Sequence, residues 1–224
     1  KDCLTDAMSA IRYVRKNAAS LQIDPNWIAG GGGSAGGQLA AAAATTSYFN
    51  DPTEDLSVSS SPNALVLFNP VYDNGPPDGY GYGGEPDVST YWENFSPIDN
   101  IDANTPPTLV LNGTNDPLVP VATVEEFQAR MQAAGNRNDV VFYEGRGHGF
   151  FNYGKASYES TVTAAADFLI SLGYADDSGP TSAPLGLLAS DRSFPEAWRN
   201  AGNRGDPPIQ ARTVNVADFG AVGD

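Results

Sequence analysis

The chain has 224 residues, 12 basic and 27 acidic, a formal net charge of −15 at pH 7 and a hydrophobic content of 41%. That is enough apolar sequence for a folded core, and the acidity argues against nucleic acid or an anionic membrane as partner, because their phosphates would be repelled. A single cysteine, Cys3, excludes a disulfide framework and a cysteine-based metal site, and without a run of about 20 apolar residues there is no membrane-spanning helix.

Residue 1 is lysine, no signal-peptide pattern follows, and helical sequence begins almost at once, so we expect the chain to be cut from something longer. Leu4, Met8, Ile11 and Val14 recur at helical spacing, with Ala7 and Ala10 on the same side, predicting an amphipathic helix from Asp2 to about Ala19. Arg12, Arg15 and Lys16 fall off that face or near its C-terminal end, where cations suit the helix dipole. An Asp24-Pro25-Asn26 turn leads to a strand over Trp27–Gly31.

The strand runs into Gly31-Gly32-Gly33-Ser34-Ala35-Gly36-Gly37, and an alanine-rich helix extends to about Tyr48. Gly32, Ser34 and Gly36 form G-x-S-x-G. Between a strand and a helix, that motif describes a sharp turn which holds the serine in a strained conformation with its hydroxyl above the sheet. Gly32 and Gly36 are expected to be small because the helix doubles back close to the strand. The same glycines also contain G-x-G-x-x-G at Gly31, Gly33 and Gly36. A dinucleotide site would then want an acidic residue after a second strand, and Asp51 and Glu54 lie in a polar loop instead. No lysine completes a phosphate P-loop.

Farther on, Ala64–Phe68 is a continuous apolar run that predicts a buried parallel strand. Asn74 to Ser89 is rich in Gly, Pro and Tyr. Tyr80, Tyr82 and, just beyond, Trp92 are candidates either to line a substrate cleft or to pack a long loop. Strands are predicted at 108–112 and 139–143, a helix through Val124, Phe127 and Met131 to near Gly135, and a last helix over Tyr158–Leu172 closed by Gly173. The alternation implies an α/β fold, a mostly parallel sheet with helices on its faces. From Asp176 to Pro208 the composition shifts to Pro, Gly, Ser and Asp, marking a linker.

A serine hydroxyl needs a base, and the chain holds one histidine, His148, in a glycine-flanked loop after the strand 139–143. The histidine needs a carboxylate to set its tautomer. Asp116, in the turn after the strand 108–112, is the leading candidate, although an aspartate before proline can simply form a turn. Asp73 is the alternative. Asp102 precedes its strand, and Glu144 is very near His148 in sequence. The order Ser34, Asp116, His148 is that of α/β-hydrolases.

Three stretches, Ile28–Ala40, Leu111–Asp116 and Tyr143–Phe150, resemble the carboxylesterase and acetyl-xylan/feruloyl-esterase-like branch of the α/β-hydrolases. The resemblance covers residues 1–174 and implies a partial α/β-hydrolase fold lacking its N-terminal strands, with Ser34 as nucleophile, Asp116 as acid, His148 as base and Ala35 as one oxyanion amide. The upstream H-G-G-type loop of the family has no counterpart here. Losing one oxyanion donor costs about 100- to 1,000-fold in turnover, so weak or no activity of the chain alone is expected, as is exposure of Leu4, Met8 and Ile11 where strands are missing. Thr213–Asp224 resembles the opening of pectate-lyase-like β-helix domains. The expected layout is thus a hydrolase part over 1–174, a linker over 175–211 and the start of a β-helix over 212–224.

Together these readings predict a serine carboxyl-ester hydrolase without metal or organic cofactor, acting on small esters or acylated plant polysaccharide in a secreted or periplasmic setting. A prolyl-oligopeptidase-like peptidase and a non-catalytic carbohydrate-associated module are the alternatives.

Overall fold

The computed structural model of the protein describes residues 2–75 and 90–174, which lie within one compact unit, Lys1–Ala175. Tyr80 and Tyr82, the linker and the β-helix-like terminus fall outside the described residues.

Four parallel strands stand in chain order: β1 (Ala29–Gly33), β2 (Ala64–Phe68), β3 (Thr108–Gly113) and β4 (Asn138–Tyr143). Ala29 pairs with Ala64, Leu65 with Thr108, and Thr108 with Asn138, so all four strands end at the same rim. Helices α1 (Asp2–Lys16) and α2 (Ala18–Leu21) precede the sheet. Helix α3 (Ala35–Thr45) follows β1, α4 (Val121–Ala133) follows β3, and α5 (Tyr158–Ser171) follows β4.

The period-2 alternation of strand side chains divides the core into two faces. Leu65, Leu67 and Val110 meet Ala41 of α3 and Val124, Phe127 and Met131 of α4. Ala64, Val66, Leu109 and Leu111 meet Phe168 of α5 and Phe150. Because helices cover both faces, β2 needs no polar side, and this is why its sequence is uninterruptedly apolar.

Several expectations need correction. The first strand occupies Ala29–Gly33 rather than Trp27–Gly31. Trp27 stops short of the ladder and packs edge-on against Tyr174, with ring centroids 4.9 Å apart. Strand β1 contains four consecutive glycines, poor strand formers by propensity, yet parallel pairing to β2 holds them extended. α1 ends at Lys16, and a separate turn of helix closes at Gln22, whose φ is 59°. Leu4 and Met8 are not exposed: they are 4% and 0% accessible and pack, with Ile11 alongside, on Ala42, Ala43, Phe49 and Phe95. α3 and the segments that follow it supply that cover.

Arg12 is not off the buried face either. It is 4% accessible, donating from Nε to Val58 O at 2.8 Å and from Nη2 to Asn50 Oδ1 at 2.6 Å, and it pairs with Glu54. A guanidinium can be buried when its donors are met in this way, and here it pins the polar 50–63 loop to α1. Trp92 packs as the second of its two readings allowed, sitting against the Phe49/Phe95 cluster and over Gly75.

Candidate active site

Ser34 stands between β1 and α3 with φ 53° and ψ −120°, a region that costs a non-glycine residue about 1–3 kcal/mol. Its backbone N–H donates to Phe68 O at 2.9 Å, and its carbonyl accepts from Val71 at 3.4 Å and from Gln38 at 3.0 Å. The turn is therefore stitched to the end of β2 on one side and to α3 on the other. The strain is held by these bonds and by close backbone approach. A Cβ on Gly32 would lie 2.6 Å from Gly36 C, and one on Gly37 would lie 2.8 Å from Pro70 Cβ and 2.9 Å from Gly32 O.

The expectation for Gly36 is not met, since a Cβ there would find nothing within 4 Å among the described residues. The pair that must be small is Gly32 and Gly37, because the helix turns its second glycine, not its first, toward the strand. Ala35 begins α3, and its amide is one of the first-turn N–H groups that have no partner inside the helix.

On the other side of the rim, Asp116 follows β3 and His148 follows β4. Asp116 Oδ2 accepts from His148 Nδ1 at 2.8 Å. Asp116 Oδ1 accepts from the backbone N–H of Leu118 at 2.8 Å and of Val119 at 3.0 Å. The aspartate thus forms a turn and holds the imidazole, so the two roles weighed from sequence coexist. Its side chain is 0% accessible and that of His148 is 23% accessible. The two loops are clamped together by Asn115 N–H on Arg146 O at 2.9 Å and Gly145 N–H on Thr114 Oγ1 at 2.8 Å. Gly113 has to be glycine because a Cβ there would come within 2.1 Å of Arg146 O.

The alternative acids are occupied elsewhere. Asp73 accepts from Gly75 N–H at 3.0 Å. Asp102 accepts from Asn104 N–H at 2.8 Å, ahead of β3.

Sequence reasoning missed Asn69. It follows β2 directly, is 0% accessible and has φ 36°. Its Oδ1 accepts from Gly149 N–H at 3.1 Å, and its Nδ2 faces His148 Nε2 at 3.3 Å. The available signal was positional: a polar residue ending a buried strand, as Asp116 and His148 also follow strands. The backbone of Ser34 is bonded to Phe68 and Val71, so the serine turn is tied to the same segment that carries Asn69. Among the described residues no hydrogen bond joins the Ser34 hydroxyl to His148. An imidazole held on Nδ1 by a carboxylate keeps Nε2 as a lone pair able to accept a proton.

A parallel sheet with helices on both faces and a strained serine turn at its C-terminal rim defines the α/β-hydrolase fold. The profile of the prolyl oligopeptidase family matches residues 1–171, and the chain belongs to that family. Apo Thermogutta terrifontis esterase 2 superposes with a TM-score of 0.70 at 40% sequence identity, covering 77% of this chain and 66% of that one. Its propionate-bound form gives a TM-score of 0.71 at 39% identity, covering 80% and 68%. Esterase LipC of Mycobacterium tuberculosis is 38% identical over 76 residues, 33% of this chain and 19% of LipC. The chain spans about two thirds of the Thermogutta enzyme's length.

Proposed function

We propose that the protein is a serine carboxyl-ester hydrolase in which Ser34 is the nucleophile, His148 the general base and Asp116 the carboxylate that orients it. The observation that carries this reading is the 2.8 Å contact between His148 Nδ1 and Asp116 Oδ2, which leaves Nε2 as the proton acceptor. The strained backbone of Ser34 supports it, as do the esterases among the relatives.

In this mechanism Ser34 Oγ adds to the ester carbonyl carbon while its proton passes to His148 Nε2, and Asp116 stabilises the imidazolium that results. The Ala35 N–H donates to the developing oxyanion, aided by the positive end of α3. Collapse breaks the bond to the alcohol oxygen, which takes the proton from Nε2. A water molecule then gives a proton to Nε2 and adds to the acyl-serine; the second tetrahedral species collapses, the proton returns to Ser34 Oγ, and the carboxylic acid leaves. Hydroxyl, imidazole and carboxylate supply nucleophile and proton acceptor, so the scheme calls on no metal or organic cofactor.

The propionate- and butyrate-bound forms of the Thermogutta esterase support short acyl groups. On the alcohol side we propose an acylated plant polysaccharide and an extracytoplasmic setting, in the manner of the acetyl-xylan and feruloyl esterases; the likeness of residues 213–224 to β-helix domains supports this. The test is labelling by a fluorophosphonate, read by mass spectrometry, with Ser34→Ala as control. Modification confined to Ser34 is expected, slow where oxyanion donors are lacking, and labelling that persists unchanged in Ser34→Ala, or no labelling even in a protein extended to include the upstream strands, would overturn the reading. Acetate release from acetylated xylan, beside an aryl acetate, tests the alcohol side.

The family match favours one second reading, a serine peptidase built on the same residues. Hydrolysis of a prolyl arylamide faster than of an aryl propionate would select it.

A further inference from the structure

We infer that Asn69 is a positioning residue that commits His148 Nε2 to accepting a proton, by donating to it from a side chain whose orientation is itself fixed. The inference begins with the asparagine's other end. A backbone N–H can only donate, so the 3.1 Å contact from Gly149 N–H identifies the atom facing it as the amide oxygen. The amide nitrogen is then the atom 3.3 Å from Nε2. An NH₂ group only donates, so Nε2 facing it must carry a lone pair, and the ring proton sits on Nδ1, toward Asp116. Asp116 and Asn69 thus impose the same tautomer from opposite sides of the ring.

The backbone supports this assignment. Asn69 extends the β2–β3 ladder through its N–H on Leu111 O at 2.8 Å, and at φ 36° it occupies a region that asparagine tolerates better than most residues. It is fully buried, so no water competes for its amide. It also anchors Gly149, whose φ of 71° turns the chain immediately after the histidine. During acylation the Ser34 hydroxyl must share or replace Asn69 as the donor to Nε2. Asn69 therefore acts before proton transfer, on the ring's readiness, and leaves substrate binding alone.

His148 is the only histidine in the chain, so its ring signals need no assignment by mutation. The experiment is 15N NMR of the full chain labelled at histidine, at about pH 8, where an ordinary histidine is neutral, with fluorophosphonate labelling kinetics alongside. The wild type is expected to show protonated Nδ1 and a bare, hydrogen-bonded Nε2. Asn69→Asp keeps the acceptor for Gly149 but turns an acceptor toward the ring. It is expected to place a proton on Nε2 and to slow labelling by about 100-fold or more, the size of a general-base contribution. Asn69→Gly fits the same backbone conformation without strain. It is expected to move the Nε2 resonance to its unbonded position and to slow labelling about tenfold, through the maximal rate rather than the half-saturating probe concentration.

An Nε2 resonance unchanged in Asn69→Gly would overturn the inference, as would a bare Nε2 in a folded Asn69→Asp. If the aspartate variant does not fold, the glycine variant decides. The functional meaning rests on the ester-hydrolase reading, but the ring is observed without turnover. A wild type that fails to label even when extended to include the upstream strands, while its ring responds as described, would sink the hydrolase reading and leave Asn69's hold on the histidine standing.

Discussion

The two ends of the sheet treat their polar groups differently. At the N-terminal end of the strands lies a broad recess of about 1320 Å³ bordered by Arg12, Arg15, Lys16, Asn63 and Arg137. Its guanidiniums are already engaged: Arg12 holds Val58, Asn50 and Glu54, Arg15 holds Pro25 O at 3.1 Å and Asn63 Oδ1 at 2.8 Å, and Arg137 holds Asp139 at 2.6 Å. At the C-terminal rim, by contrast, the Ser34 hydroxyl and the Ala35 N–H make no hydrogen bond among the described residues, and Nε2 of His148 has only a long one. On the proposed reading, a broad and charged recess does not mark the site. Polar groups held in place but left uncommitted mark it, because such groups can still bond to a reacting molecule.

The comparison breaks first at Ser34. Ser34→Gly is expected to abolish fluorophosphonate labelling, a fall of about 10⁴-fold or more, while raising the unfolding free energy by about 1 kcal/mol through relief of its φ of 53°. Denaturant titration beside labelling checks both. A variant that labels, or that is destabilised by several kcal/mol, would contradict the division between the two ends.

Arg12 tests the opposite end. Arg12→Met strands Glu54, Asn50 and Val58 O, and it is expected to cost about 2–4 kcal/mol in urea unfolding. The labelling rate per folded molecule should not change. A large loss of labelling in folded protein would show that the recess takes part in the chemistry.

The elbow glycines sharpen the picture at smaller scale. Gly37→Ala meets Pro70 and Gly32 O and is expected to cost about 1–3 kcal/mol. Gly36→Ala meets open space inside a helix and is expected to stabilise by about 0.5–1 kcal/mol. Thermal unfolding of the two variants in parallel decides, and equal losses would overturn the assignment of the tight contact to Gly37.

The smallest effect at neutral pH belongs to Tyr72. It is fully buried, stacked on Phe127 at 4.3 Å, and its hydroxyl has no partner among the described residues. Burial pushes its phenol well above the ordinary tyrosine range. A pKa raised in the folded state gives stability that is whole below the unfolded value, about 10, and is lost as pH rises beyond it, by at most about 1.4 kcal/mol per pH unit. Tyr72→Phe is expected to change stability by less than about 1 kcal/mol at pH 7 and to flatten that alkaline loss. An unchanged alkaline slope would show that Tyr72 is not its source.

Legibility followed the range of the interactions. The apolar run 64–68 is strand β2 to the residue, because burial on both faces writes itself into consecutive side chains. The strand before the elbow was displaced by two residues, since only pairing with Ala64–Phe68 decides which of Trp27 to Gly33 joins the ladder. Asp116 and His148 were legible as polar residues after strands, and the structure brings them to 2.8 Å. Arg12 read only as a cation off the apolar face, because its partners stand about 40 residues away, and Asn69 went unread for a similar reason, with partners about 80 residues on.

By itself, the sequence determined the kind and order of the strands and helices, though not every boundary, since side-chain periodicity acts over a few positions, and it determined the order of serine, aspartate and histidine along the chain. Only the tertiary structure decided which glycine must be small, which carboxylate meets the imidazole, and that an asparagine faces the histidine's other nitrogen. Those choices depend on distances between segments far apart in the chain, which local preference does not encode.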